Sequence, residues 1–480
     1  MPIRRPIPKL LKFRGAFITA PLAWFAQTFR AADNGLADDL TRHFITLNLH
    51  LARDEAPIVQ ARRDDSLHCI AKATMTDQPF STRIHRRDLV QAFGAAAAGF
   101  AMVNHAVADE KNPAAQVADR TSTIRITAMK TFWVGPVVYV KIETNHGVVG
   151  WGDLKGVDPR VSQPLAESLF ELLDGENPTR VEYLWQKPFR SHRNIRGGAF
   201  MVHTLAAIDM ALWDITGKLW GVPIYRLLGG PTRDRIRVYH TDKAVKVPPH
   251  GIYEHSGTPA DIDNMVKAIK AARDRVGPDG AVMFDAHSAV PPATLIQLAA
   301  ALQPFDLLFI EEPAVPGNIE TFKRLRQHIH IPLATGERDR TIWGMIPYLQ
   351  EGCIDILQPD CCHTGGISQM KKIATLAEAY FVPIAPHCTA TFLGIAASLH
   401  VVASIPLFLI HEFYPQNAGF NVPGLTRMTF ELDKDGYIGL PPGPGLGVEV
   451  DEAKLSEEAK KPQTYKWPGA KLKDGSVADY

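Results

Sequence analysis

Long hydrophobic runs are scarce in this chain of 480 residues. None reaches the ~18 residues expected of a membrane-spanning helix, so no membrane partner is expected. Cysteine is scarce too: Cys69, Cys353, Cys361, Cys362 and Cys388 make an odd set without Cys-x-x-Cys spacing. Neither a disulfide framework nor a zinc site is expected. Small buried thiols are the simplest reading, with reactive thiols as the alternative. Net charge is nearly absent, 52 Lys and Arg against 51 Asp and Glu. No overall field therefore draws the chain to nucleic acid, and no aromatic-and-basic nucleic-acid motif is present. What remains is ordinary globular composition, 46% hydrophobic and 21% charged, in a chain long enough for two domains and extra segments.

Residues 1–74 show no convincing period and are read as an unstructured or spurious extension, with Met75 as the alternative start. Arg86-Arg87-Asp88-Leu89-Val90 precedes the apolar run Ala92–Val103 and then Ala106-Val107-Ala108. Paired arginines, a short apolar core and an A-x-A site are the parts of a twin-arginine export signal, here spanning 75–108. A periplasmic or exported protein is expected, cytoplasmic if the signal is unused. Residues 109–122 read as a polar linker.

Further on, carboxylates and histidines recur at the ends of short apolar runs: Asp285-Ala286-His287, Glu311-Glu312-Pro313, Glu337, Asp360, His387 and His411-Glu412. Neighbouring members lie about 25 residues apart, near the repeat of an eightfold strand-helix barrel of ~250 residues. Candidate strands are Ile236–Thr241, Ala244–Val247, Ala281–His287, Leu307–Pro313, Pro332–Glu337, Ile354–Asp360, Val382–His387 and Phe408–Phe413. Helical stretches such as Ile262–Val276 and Ser368–Tyr380 fit between most of them, which indicates a parallel sheet. One junction breaks the rule. Only Asp242-Lys243 separates the first two candidates, whereas a parallel crossover needs at least ~10–12 residues. Either the two runs form one long strand or the first barrel helix is missing.

Before the barrel, Ile124-Arg125-Ile126 and Val137–Glu143 alternate, and Thr144-Asn145-His146-Gly147 turns the chain into Val148–Asp153, an antiparallel hairpin. Helical periodicity follows in Leu165–Leu173, Val181–Trp185 and Met201–Leu219, the last with a small-residue face around Ala206, Ala207 and Ala211. Strands followed by a helical cluster suggest a separate α+β capping domain.

The motifs Gly150-Trp151-Gly152-Asp153, Ala207-Ile208-Asp209-Met210-Ala211-Leu212-Trp213-Asp214 and Leu227-Leu228-Gly229-Gly230 resemble those of the enolase superfamily, mandelate racemase subgroup. The likeness runs from about Ile124 to the C-terminus, through Asp435–Ile438 and Pro442–Gly447. The tail Asp474–Asp479 is similar to that of sugar-acid dehydratases. The expected fold is α/β: a modified (β/α)8 barrel over 233–425 and a cap over 123–232. Residues 426–480 are expected to return to the cap.

Three converging carboxylates, Asp285, Glu311 and Glu337, would repel one another without a cation, and hard oxygen ligands suit Mg2+. The resemblance implies that these three hold it. Strand alternation turns Glu312 away. The resemblance further implies that His387, oriented by Asp360, removes the proton α to a carboxylate. A protonated Glu412 would hydrogen-bond the resulting enediolate. An Asp-x-His such as Asp285-Ala286-His287 marks the galactonate dehydratase type, where His287 would protonate the departing 3-hydroxyl. Racemases of the subgroup carry Lys-x-Lys on the second strand, where this chain has Lys246-Val247-Pro248. Dehydration of an aldonic acid to a 2-keto-3-deoxy acid is therefore expected, with Lys246 and Arg196 as substrate-binding residues. Phe132–Pro136 and Arg196-Gly197-Gly198 are the cap loops expected to set specificity. The expected partners are an acid sugar and further copies of the chain, as a homo-oligomer. The alternatives are a racemase or epimerase on the same scaffold, an exported homologue with impaired catalysis, and a solute-binding protein.

Overall fold

The computed structural model describes residues 122–249, 256–414, 424–428, 430–466 and 469–478. The extension 1–74 and the signal 75–108 lie outside these described residues. The first layer is an antiparallel sheet ordered β1 (Ile126–Val134), β2 (Val137–Thr144), β3 (Val149–Leu154). β2, with the sequence VVYVKIET, is the central strand and is buried along nearly its whole length, as a β-branched run between two neighbours should be. Gly147, at φ 74°, makes the expected turn into β3.

Helices α1 (Pro159–Leu169), α2 (Val181–Ser191) and α3 (Ala199–Trp220) cover this sheet. By length and composition α3 could cross a membrane, but most of it is buried inside the protein. Gly221 ends it in the left-handed conformation, φ 67°. The small-residue face acts as expected. Methyl groups added at Gly152 and Gly150 would each sit 2.0 Å from a carbonyl oxygen of α3, those of Ala207 and Ala211 respectively. Gly152→Ala should therefore destabilise the protein by at least ~1–3 kcal/mol, the usual cost of overpacking. A denaturation midpoint equal to the wild type would sink this account.

Asp209 and Asp214, the acidic residues of the α3 motif, are tethers. Asp209 accepts from the backbone N and hydroxyl of Ser368. Asp214 accepts from Trp151 N, Leu446 N and Lys218. The short helix α4 (Ile224–Leu227) then leads into the second layer.

That layer contains β4 (Arg235–Tyr239), β5 (Ala244–Val247), α5 (Pro259–Val276), β6 (Ala281–Asp285), α6 (Pro292–Leu302) and β7 (Ile310–Glu311). It continues with α7 (Ile319–His328), β8 (Leu333–Thr335), α8 (Thr341–Glu351), β9 (Ile356–Leu357), α9 (Cys361–Thr364), α10 (Gly366–Ala379), α11 (Phe392–Val402) and β10 (His411–Glu412). Helix starts follow local chemistry: Thr258 and Asp261 form a reciprocal capping box at α5, with Pro259 in its first turn. β5 to β9 form a parallel sheet in sequence order. Parallel bridges carry the order on through Leu357, Ile384 and Phe408, and β10 pairs in parallel with β4. The regular strands are shorter than expected, yet ladder bonds such as Ala286 N to Glu311 O and Ala385 N to Leu357 O extend them. One buried cluster takes a residue from each of the eight segments: Tyr239, Ala244, Met283, Phe309, Ala334, Ile356, Ala385 and Ile410.

β4 and β5 are two strands, not one. His240, at φ 65°, breaks the run, and the strands pair with β10 and β6 respectively. No helix lies between them. The chain after β10 includes β11 (Thr426–Arg427), β12 (Tyr437–Gly439), β13 (Glu449–Val450) and α12 (Glu452–Ala459). β12 pairs antiparallel with β4. Glu452 then accepts from Lys141 of β2 at 2.7 Å, and Gln463 accepts from Gly135 N at 2.9 Å.

Candidate active site

The C-terminal ends of the parallel segments surround a pocket of 440 Å³. Asp285, Glu337, His387, Glu412, His287 and Lys246 line it. Arg196 does not. It is exposed on the loop after α2, with its guanidinium 5.6 Å from the Phe189 ring. The Phe132–Pro136 loop is held elsewhere, by Trp133 Nε1 on Gly135 O and by Gln463.

Asp285 and Glu311 are the last residues of β6 and β7, and Glu337 follows β8. Lys246 Nζ sits among carboxylates, 2.8 Å from Glu311 Oε1, 3.0 Å from Glu412 Oε1 and 3.2 Å from Asp285 Oδ2. Glu312 departs from the expectation that alternation turns it away. Its φ of 43° swings it out of strand geometry, so that His287, Glu312 and Glu337 offer ligand atoms within 4.8 Å of one another. Its carboxylate also meets Arg338 Nη2 at 2.8 Å.

Charge is poorly balanced here. Glu311 Oε2 and Glu312 Oε1 are buried without a hydrogen-bond partner. Burial pushes Glu311 up to about 8 against the pull of Lys246, with Asp285, Glu412 and Glu337 adding to the rise. Burial, then Glu337, pushes Glu312 up to about 9. Unpartnered, mutually repelling carboxylate oxygens of this kind fit a hard divalent cation.

His387 is buried, and its Nδ1 donates to Asp360 Oδ2 at 2.7 Å. Its Nε2 lies 3.5 Å from Glu337 and 3.8 Å from Glu412. Burial alone would lower its pKa, but Glu337, Glu412 and Asp360 outweigh burial and hold it up to about 10. Asp360 caps α9 through Cys362 N at 2.7 Å. Although burial works to raise its pKa, His363, Lys155 and His387 keep it ionised, well below the usual carboxylate range.

Asp360, His363 and His387 also place ligand atoms within 4.8 Å of one another. Lys155 Nζ, 2.9 Å from Asp360 Oδ2, already neutralises this carboxylate. Base chemistry therefore suits the group better than metal binding.

His287, at φ 48°, reaches the pocket from the turn after β6, where its backbone N donates to Asp285 Oδ1 at 2.8 Å. Glu412 accepts from Cys388 N at 2.8 Å and Tyr414 Oη at 3.2 Å. Burial works to raise its pKa, but Lys246 and His387 hold it well below the usual range, away from the protonated form that a hydrogen bond to the enediolate would need. His411, its neighbour, bonds Ser398 in the core. Cys361, Cys362 and Cys388 are free and buried, and burial raises all three thiols, which makes them poor nucleophiles.

Four contributors were not foreseen: Lys155, His363, and the pocket residues His240 and Tyr414, whose rings stack at 4.0 Å.

Residues 114–229 match the mandelate racemase/muconate lactonizing enzyme N-terminal domain, and residues 234–454 match the enolase C-terminal domain-like family. A D-galactonate dehydratase from Variovorax paradoxus is 35% identical over 389 residues, covering 74% of this chain and 100% of the relative. One from Ralstonia pickettii is 34% identical over 385 residues, with the same coverage. The crystal structure of an enolase from Agrobacterium radiobacter, bound to sodium and L-malate, superposes with a TM-score of 0.68 at 32% identity. That match covers 74% of this chain and 99% of the other. The chain thus belongs to the mandelate racemase/muconate lactonizing enzyme family of the enolase superfamily, beside its galactonate dehydratases, and is an enzyme, a hydro-lyase.

Proposed function

We propose that the protein is an Mg2+-dependent dehydratase of a sugar acid, converting an aldonic acid to its 2-keto-3-deoxy product. One observation carries the reading: His387 and His287 line the same pocket, beside a carboxylate cluster with unpartnered oxygens. A base and an acid facing one substrate suit elimination of water. The galactonate dehydratase relatives support the substrate class.

Asp285, Glu311 and Glu337, at the C-terminal ends of three successive parallel strands, would hold the metal. When bound, Mg2+ supplies positive charge to the substrate carboxylate and offsets the pull of Glu337 on the His387 proton. Lys246 adds a second positive charge for the substrate carboxylate. His387 Nε2 accepts the proton from C2 while Asp360 keeps the Nδ1 proton in place. The electrons of the C2–H bond form the C2=C3 double bond as the C3–O bond breaks. His287 donates its proton to the leaving oxygen, which departs as water, and the enol becomes the 2-keto acid. The same reading takes 123–232 as the cap, 233–425 as a barrel lacking its first crossover helix, and 75–108 as an export signal.

A screen of aldonic and aldaric acids with Mg2+, assayed for 2-keto acids, tests the reading, and no product from any acid would overturn it. Chelation should abolish turnover and Mg2+ should restore it. Added Mg2+ should also raise the melting temperature, because a ligand that binds the folded state stabilises it. Full activity in excess chelator, with no thermal shift, would remove the metal from the mechanism.

A further inference from the structure

We propose that Lys155 is a positioning residue for the base, fixing Asp360, and through it His387, from across the domain boundary. This inference rests on the reading of His387 as the base. Lys155 directly follows β3 and is 1% exposed. A fully buried ammonium is costly unless paired, and this one is spent on the oxygen that orients His387. Asp360 Oδ2 accepts from Lys155 at 2.9 Å and from His387 Nδ1 at 2.7 Å, while Oδ1 accepts from Cys362 N. Each oxygen is therefore committed, and the carboxylate cannot rotate without breaking a charged contact. The ammonium also opposes proton transfer from His387 Nδ1 to Asp360, so the proton stays on Nδ1.

The neighbouring contacts repeat the pattern. Lys155 donates to Thr389 Oγ1 at 3.3 Å, two residues beyond His387. Asp153 lies two positions before Lys155, where alternation puts it on the same face. It accepts from Thr391 N at 3.1 Å, from Thr391 Oγ1 at 2.7 Å and from Cys362 Sγ at 3.2 Å. One edge of the first layer thus grips both loops that carry the dyad.

The test uses the full chain with Lys155→Gln, and with Lys155→Met as a second variant of similar length should Gln fail to fold. The His387 Nδ1 proton, assigned by its loss in His387→Asn, should give a downfield proton NMR signal that shifts or disappears in either variant. In the same proteins kcat should fall on the order of 10- to 100-fold, the usual effect of removing a residue that orients a functional ligand, with KM little changed. An unmoved signal overturns the proposal whatever the rate, because loss of activity alone would then be structural. An unchanged kcat overturns it as well. Should no sugar acid be turned over by the wild type, the functional reading fails separately, and the NMR arm still decides the role of Lys155.

Discussion

His387→Asn should lower kcat for dehydration by about 10²–10⁴-fold, the range for losing a general base, while leaving the fold intact. Asparagine can still donate to Asp360, so the buried carboxylate keeps a partner in place of the 2.7 Å imidazole contact. What disappears is the free Nε2, and with it the acceptor for the C2 proton. Exchange of that proton with deuterated solvent should stop together with dehydration. Dehydration that survives the substitution unchanged would show that another group is the base.

His287→Asn separates the two halves of the reaction. Dehydration should fall by about 10²–10⁴-fold through loss of the acid, but His387 remains and can still remove and return the C2 proton. The expected signature is deuterium entering C2 of recovered substrate without release of water. This outcome also distinguishes dehydration from racemisation in the wild type, where exchange without water loss would favour an epimerase. If His287→Asn leaves dehydration unchanged, the acid lies elsewhere, and His240, which also lines the pocket, is the first alternative.

The strand ends were legible because each carries its polar residue at a regular interval, and the interval survives although the regular strands are only two to five residues long. Asp285, Glu337, His387 and Glu412 are gathered around one pocket on that basis. Alternation misled at Glu312, where a positive φ overrides the two-residue period. Arg196 lies in a glycine-rich loop, and such a loop indicates where a chain turns but not what it faces. Lys155 was hidden for a different reason. Its partner Asp360 lies 205 residues away in another layer, and no local period records such a pairing. The protonation of Glu412 was equally illegible, because it depends on Lys246 arriving from β5.

The β3 edge also bears on how these proteins can be recombined. Exchanging caps between relatives is an obvious way to move substrate preference from one barrel to another. In this chain such an exchange would carry away Lys155 and Asp153, and with them the ammonium paired with Asp360 and the ties to the loops after the sixth and seventh segments. A chimera made with a cap that ends this strand differently would receive new walls for its substrate and a badly set base at once. Its loss of rate would then be misread as poor recognition. For this protein, a cap exchange that spares the base would have to bring along the residues at 360–362 and 387–391 that the cap grips.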